Sequence, residues 1–212
     1  MNELIQLPRS SLWNLAECDR DYAKAPKMPK SLDVILDIGA HVGIFALWAL
    51  GEFLGSKVIC YEPHPEVVDL CRRNLEGLNA EVHECAVVGE SDEKRYVGQD
   101  NLVALYPGKR TLLGSSLYHL GWQKEEPIAR VKWMPAKKLP RAQGVKADIE
   151  GAEIPLLRDY QYGKDVQVLM IEVHCLSDFS QLTEIALGWG LEMTRYNPGR
   201  NGCSTSVWVR AA

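Results

Sequence analysis

A chain of 212 residues can bury one sizeable core as a single domain. Its 24 basic and 28 acidic residues leave a net charge of −4, which gives no electrostatic footprint for nucleic acid or an anionic membrane. No apolar run is long enough to span a bilayer, and the six cysteines contain no Cys-x-x-Cys pair, so neither a zinc site nor a disulfide framework is expected.

Residues 1–31, broken by Pro8, Pro26 and Pro29, read as an irregular or partly helical lead-in. Their start, Met1 to Pro8, lacks the basic opening and long apolar centre of a secretion signal, and a reducing cytoplasm is the expected setting. Alternation then begins, with a strand near 33–38, a helix near 41–53, a strand near 57–61, a helix near 65–78 and a strand near 81–88. That order predicts a parallel, right-handed, doubly wound α/β sheet. Residues 89–142 interrupt the rhythm with glycines, prolines and β-like pieces near 94–97, 102–106 and 128–134, and are expected to form an excursion over the carboxyl edge of the sheet. Tyr106, Ser115, Ser116, Tyr118, His119 and Trp122 would supply it with aromatic faces and hydroxyls for an acceptor. Regular order resumes with a strand at 145–149, a helix at 151–159, a strand at 166–174 and a helix near 178–189. Strands near 191–196 and 205–210 flank Asn197-Pro198-Gly199 and Asn201-Gly202, which predicts an antiparallel hairpin at the end.

Four segments carry the chemistry. In Asp37-Ile38-Gly39-Ala40-His41-Val42-Gly43 a short aliphatic strand ends in an acid and turns through glycine into an apolar helix. The helix start faces the crevice beyond the strand ends, where open α/β sheets bind ligands. The spacing is Asp-x-Gly-x-x-x-Gly rather than the Gly-x-Gly-x-x-Gly of dinucleotide oxidoreductases, and an acid at the strand tip suits an ammonium group. S-adenosylmethionine (SAM) is the ligand that fits best. The next strand ends Tyr61-Glu62-Pro63-His64-Pro65, where Glu62 stands in position to accept hydrogen bonds from ribose hydroxyls and the prolines fix the turn. At the third strand's end the small Cys85 and Ala86 would let an adenine ring approach the backbone.

The fourth strand reads Val145-Lys146-Ala147-Asp148-Ile149-Glu150-Gly151-Ala152-Glu153. Asp148 and Glu150 share a face of extended chain, and either suits the general base that takes a proton from an acceptor hydroxyl as its oxygen attacks a methyl group. Glu153 is expected to cap or support rather than react, since acids favour a helix start. The fifth strand ends Glu172-Val173-His174, and His174 joins the catalytic candidates because imidazole titrates in a useful range. Carboxylates with imidazole also suit Mn²⁺ or Mg²⁺, but a histidine satisfied by its neighbours is the commoner case, and no metal is expected.

Taken in order, these phrases resemble the FkbM family of SAM-dependent methyltransferases. The matching stretches are Asp37 to Gly43, Tyr61 to Pro65, Cys85 to Gly89, Lys146 to Glu153 and Ile171 to His174, with Gly114-Ser115-Ser116-Leu117 similar to the family's serine pair. The resemblance implies a class I methyltransferase sheet over 32–212 and O-methylation of a hydroxyl on a sugar, glycolipid or natural product. It brings SAM as cofactor, with Asp37, Gly39, Ala40, His41, Gly43, Glu62, Pro63, Cys85, Ala86 and Asp148 around it. His41 replaces a common asparagine, and Met134 to Leu139 replaces a stretch that usually carries an aspartate. A catalytically silent SAM-binding module and an NAD(P)-dependent oxidoreductase are the alternatives; the latter lacks both the glycine spacing and a clear Tyr-x-x-x-Lys pair.

Overall fold

The computed structural model describes residues 18, 22–23, 25–106, 126–198 and 203–211. Eleven strands and five α-helices lie among them: β1 (Val34–Ile38), α1 (Ile44–Glu52), β2 (Lys57–Tyr61), α2 (Pro65–Asn74), β3 (Ala80–His83), β4 (Ala86–Val88), α3 (Glu90–Tyr96), β5 (Val103–Leu105), β6 (Ala129–Val131), β7 (Trp133–Pro135), β8 (Gly144–Ala147), α4 (Glu153–Asp159), β9 (Val168–Val173), α5 (Phe179–Trp189), β10 (Leu191–Pro198) and β11 (Ser204–Arg210).

Seven strands form one sheet in the order β10-β11-β9-β8-β1-β2-β3. The five strands from β9 to β3 run parallel, while β11 pairs antiparallel with both β9 and β10. From β1 the chain builds outward through β2 to β3, then returns to the other side of β1 with β8 and β9. The reversal falls between β1 and β8, so the crevice opens beyond their carboxyl ends. Both faces are covered, which is why the central strands read as near-continuous aliphatic runs. Alternation sends Ile35 to a layer with Val58, Met170 and the Phe45 and Trp48 rings of α1. Leu36 and Ile38 go to the opposite layer, with Leu156 and Leu157 of α4 and Leu182 of α5. From the lead-in, Tyr22 packs its ring edge-on against Phe45 at 5.7 Å.

The structure corrects two expectations before the crevice. The strand expected over 81–88 is two strands: β3 stops at His83 and stays in the main sheet, while β4 pairs with β7 in a separate ladder. The β-like piece near 94–97 lies largely within α3, because Gly89 is followed by Glu90, Asp92 and Glu93, acids that suit a helix start. Two helices begin later than expected. Helix α1 starts at Ile44 because His41 (φ +52°) and Gly43 (φ +84°) hold left-handed conformations, and α4 starts at Glu153 because Glu150 (φ +56°) and Gly151 (φ +106°) do the same. The excursion contributes α3, β5, β6 and β7, while Ser115, Ser116, Tyr118, His119 and Trp122 lie outside the described residues. Among the described residues no helix is long and apolar enough to cross a membrane.

Candidate functional site

The turn after β1 is tied by its backbone to the tip of β2. The Gly39 and Ala40 N–H groups both donate to the Tyr61 carbonyl, at 2.9 and 3.0 Å, and the Gly43 N–H donates to the Ala40 carbonyl at 2.8 Å. Gly39 has φ +79°, and a Cβ at this position would overlap the Asp148 carbonyl oxygen. Glycine is therefore required twice over, by conformation and by the close approach of the β8 tip.

Glu62 closes the other side of the turn. One carboxylate oxygen accepts the His41 N–H and the other the His64 N–H, each at 2.8 Å. The side chain is buried, and burial pushes its carboxyl up to about 7, against the opposing pull of those N–H donors and of Lys146. A carboxylate has about four lone-pair sites, so both oxygens keep capacity for further donors. On either side of it, His41 Nε2 and His64 Nδ1 are buried without a hydrogen-bond partner. Burial, reinforced by Lys146, lowers the His41 imidazole to about 4, so it is neutral. Pro63 and Pro65 carry the chain from Glu62 into α2, Pro65 in the first turn.

Asp37 lies beneath this turn. It is fully buried and directly beside Lys146 in the β1–β8 register. The Lys146 Nζ stands 3.3 Å from Asp37 Oδ1 and 3.8 Å from Asp148 Oδ2, and donates to the Gly39 carbonyl at 2.7 Å. Burial raises the Asp37 carboxyl, with Lys146 pulling the other way. The ammonium partner of Asp37 in this structure is thus a residue of the chain itself.

On the far side of the crevice, the tips of β8 and β9 gather four carboxylates around one imidazole. Glu153 is buried, and its Oε1 accepts the Ile149 and Gly151 N–H groups at 3.1 Å each, with His174 Nδ1 at 3.0 Å. Those contacts hold the left-handed Glu150–Gly151 turn, so Glu153 supports the tip of β8 as well as opening α4. His174 Nε2 faces Glu150 Oε2 at 3.4 Å, Asp148 Oδ1 at 3.7 Å and Glu172 Oε1 at 3.9 Å. Burial alone would lower the His174 pKa, but the hydrogen bond and charge of Glu153, with Asp148 and Glu150, carry it up to about 10. At neutral pH His174 is therefore an imidazolium, a charge that orders carboxylates rather than a free base. Burial raises the Glu150 carboxyl, and burial with the nearby Asp148 charge brings Glu172 up to about 7. Ligand atoms of Asp148, Glu150 and His174 lie within 4.8 Å of one another, as do those of Glu172, His174 and Cys203, spacings that a divalent cation can bridge.

Of the residues singled out in the sequence, Asp37, Gly39, Ala40, His41, Gly43 and Glu62 converge on one turn, and Asp148, Glu150 and His174 gather beside it. Cys85 falls in the break between β3 and β4, and Ala86 opens β4, its N–H held by the Lys132 carbonyl at 2.9 Å. Lys146 was overlooked. Its only sequence signal is a lysine inside the otherwise apolar strand β8.

Residues 37–189 match the Methyltransferase FkbM domain. Methyltransferase 1 of Beauveria bassiana (strain ARSEF 2860) is 26% identical over 161 residues, 66% of this chain and 62% of that protein, so the chain spans less than two thirds of this relative's length. Among solved structures, the fold is similar to Aeropyrum pernix fibrillarin, with a TM-score of 0.51 at 11% identity over 94% of this chain and 74% of the other. It is also similar to ribosomal protein L11 methylase from Lactobacillus delbrueckii subsp. bulgaricus, with a TM-score of 0.50 at 10% identity over 95% of this chain and 77% of the other. These two show the class I methyltransferase sheet. The matched segment covers most of the chain and includes the turn, Glu62 and the carboxylate cluster: this protein belongs to the FkbM family of methyltransferases.

Proposed function

We propose that the protein transfers a methyl group from SAM to a hydroxyl of a small acceptor, of the sugar, glycolipid or natural-product class. The observation that carries this reading is the Gly39 turn, tied through the His41 N–H to Glu62 and packed on its other side against the Asp148 backbone. The residues suit the cofactor. Glu62 has lone pairs left for a ribose diol, and the orphaned His41 and His64 nitrogens need polar partners of the kind a buried ligand supplies. Aeropyrum pernix fibrillarin, whose sheet is similar, was crystallised with natively bound SAM. In this reading Asp37 acts from below, through Lys146 and the turn, and Ala86 and Cys85 border the adenine side.

When bound, SAM supplies a methyl group activated by its sulfonium. The chain's own work is to orient and to take a proton. Asp148 or Glu150 would accept the acceptor's hydroxyl proton as its oxygen takes up that methyl group. His174 and Glu153 hold those carboxylates in place, so positioning supplies much of the rate. The cluster is anionic, with three partly exposed carboxylates around one imidazolium, which disfavours a polyphosphate acceptor such as nucleic acid.

Transfer of labelled methyl from SAM to a panel of neutral and amino-bearing hydroxyl compounds tests the reading. An accepted hydroxyl should lose about a hundredfold or more in rate when the responsible acid is neutralised in Asp148→Asn or Glu150→Gln, with SAM binding retained. Full activity in both variants would leave positioning alone as the mechanism. SAM binding without transfer to any acceptor would favour the silent binding module.

A further inference from the structure

The buried Lys146 has no place in the transfer step. Both it and Asp37 are almost entirely shielded from water, and each lost hydration to get there. A buried ion pair of this kind is often no more stabilising than two apolar side chains of the same volume, so its stability value does not explain its presence. Its geometry does. Lys146 reaches three points that the cofactor crevice depends on: the Gly39 carbonyl at 2.7 Å, Asp37 at 3.3 Å and Asp148 at 3.8 Å. Its ammonium hydrogen-bonds the Gly39 carbonyl and stands at ion-pair distance from both carboxylates. Met170 in the same cross-strand row, and any other apolar residue in place of Lys146, can serve none.

The turn after β1 is anchored on its β2 side. Its N–H groups at Gly39, Ala40 and His41 are all tied to the tip of β2, through Tyr61 and Glu62. The peptide that joins Gly39 to Ala40 is held on that side by its N–H, so its carbonyl points the opposite way, toward β8. Lys146 grips the carbonyl from β8. We propose that Lys146 is a positioning residue: its ammonium locks the Gly39 peptide between the tips of β1 and β8, and keeps the cofactor turn in register with the Asp148 carboxylate. This rests on the assignment of the turn to SAM. It adds a tie between the cofactor side and the acceptor side, so that the two halves of the crevice move as one body.

The test separates holding from charge pairing. Lys146→Met alone strands the Asp37 charge and is expected to lower the melting temperature. The double variant Asp37→Asn/Lys146→Met removes both charges and should recover most of that loss. In the recovered double variant, amide hydrogen exchange at residues 39–41 should speed up by about tenfold or more while β9 stays at its wild-type rate, and S-adenosylhomocysteine affinity should fall by about tenfold, as expected for loss of one charge-assisted hydrogen bond. A folded double variant with either wild-type exchange at 39–41 or wild-type affinity overturns the proposal, leaving Lys146 as the charge partner of Asp37. If the wild-type protein binds no S-adenosylhomocysteine, the cofactor assignment falls and takes the purpose of the grip with it, while the exchange rates still report whether the grip exists.

Discussion

Gly39→Ala should cost about a hundredfold or more in S-adenosylhomocysteine affinity, while Gly55→Ala should leave it unchanged. Both glycines have φ near +80°, +79° for Gly39 and +87° for Gly55, so an alanine suffers similar backbone strain at either site, on the order of 1–2 kcal/mol. They differ in what a methyl would meet. At Gly55 it meets nothing within 4 Å, whereas at Gly39 it overlaps the carbonyl oxygen of Asp148. That oxygen is backbone and cannot swing aside, so the tips of β1 and β8 must separate. Separation moves the turn away from Asp148 and shifts it against Glu62 on the other side. Thermal melts with calorimetric titration of both variants check this. Equal behaviour of the two would mean that the β1–β8 approach does not shape the ligand crevice.

Glu153→Gln should produce the second large effect, and one that depends on pH. Glutamine keeps an oxygen for the Ile149 and Gly151 N–H groups but removes the negative charge that His174 leans on. His174 has a folded value of about 10, above the ordinary 6.5, so it binds a proton more tightly folded than unfolded. Its contribution is fully present below about pH 6.5 and is lost as pH rises through about 10. The variant should therefore be destabilised by about 3–5 kcal/mol near pH 6, the cost of breaking a buried pair, and by much less near pH 10. Denaturant melts at both ends of that range check the sign. A penalty that is flat or grows with pH would show that His174 is not held protonated by Glu153. Methyl transfer should also slow in the variant, since Asp148, Glu150 and Glu172 lose the imidazolium that orders them.

Much of this architecture is legible in the chain. Val34 to Ile38, Val58 to Tyr61 and Val168 to Val173 are aliphatic on both faces, which only a covered parallel strand explains. The acids Glu62, Asp148 and Glu150 stand at strand ends, and strand ends are where this topology gathers ligands. What stayed hidden depends on neighbours that sequence spacing does not reveal. Lys146 gains its meaning only because β8 lies next to β1 in register with Asp37, and that adjacency comes from a crossover more than one hundred residues long. The break after His83 is hidden because no glycine or proline marks it between Glu81 and Val88, although Ala86 pairs with Trp133 of β7. Glu153 looked like a capping acid from its place in the first turn of α4. Its contacts to Ile149 and His174 emerge only when the Glu150–Gly151 turn folds back in the left-handed region.

Calorimetric titration of S-adenosylhomocysteine into the wild-type protein and into Glu62→Ala tests the central claim most directly. The wild type should bind one equivalent at the Gly39 turn. The variant, folded by circular dichroism, should lose about 1–3 kcal/mol of binding free energy as buried ribose hydroxyls lose their acceptor. No binding by the wild type, or equal affinity in the folded variant, would contradict the assignment of this crevice to the cofactor.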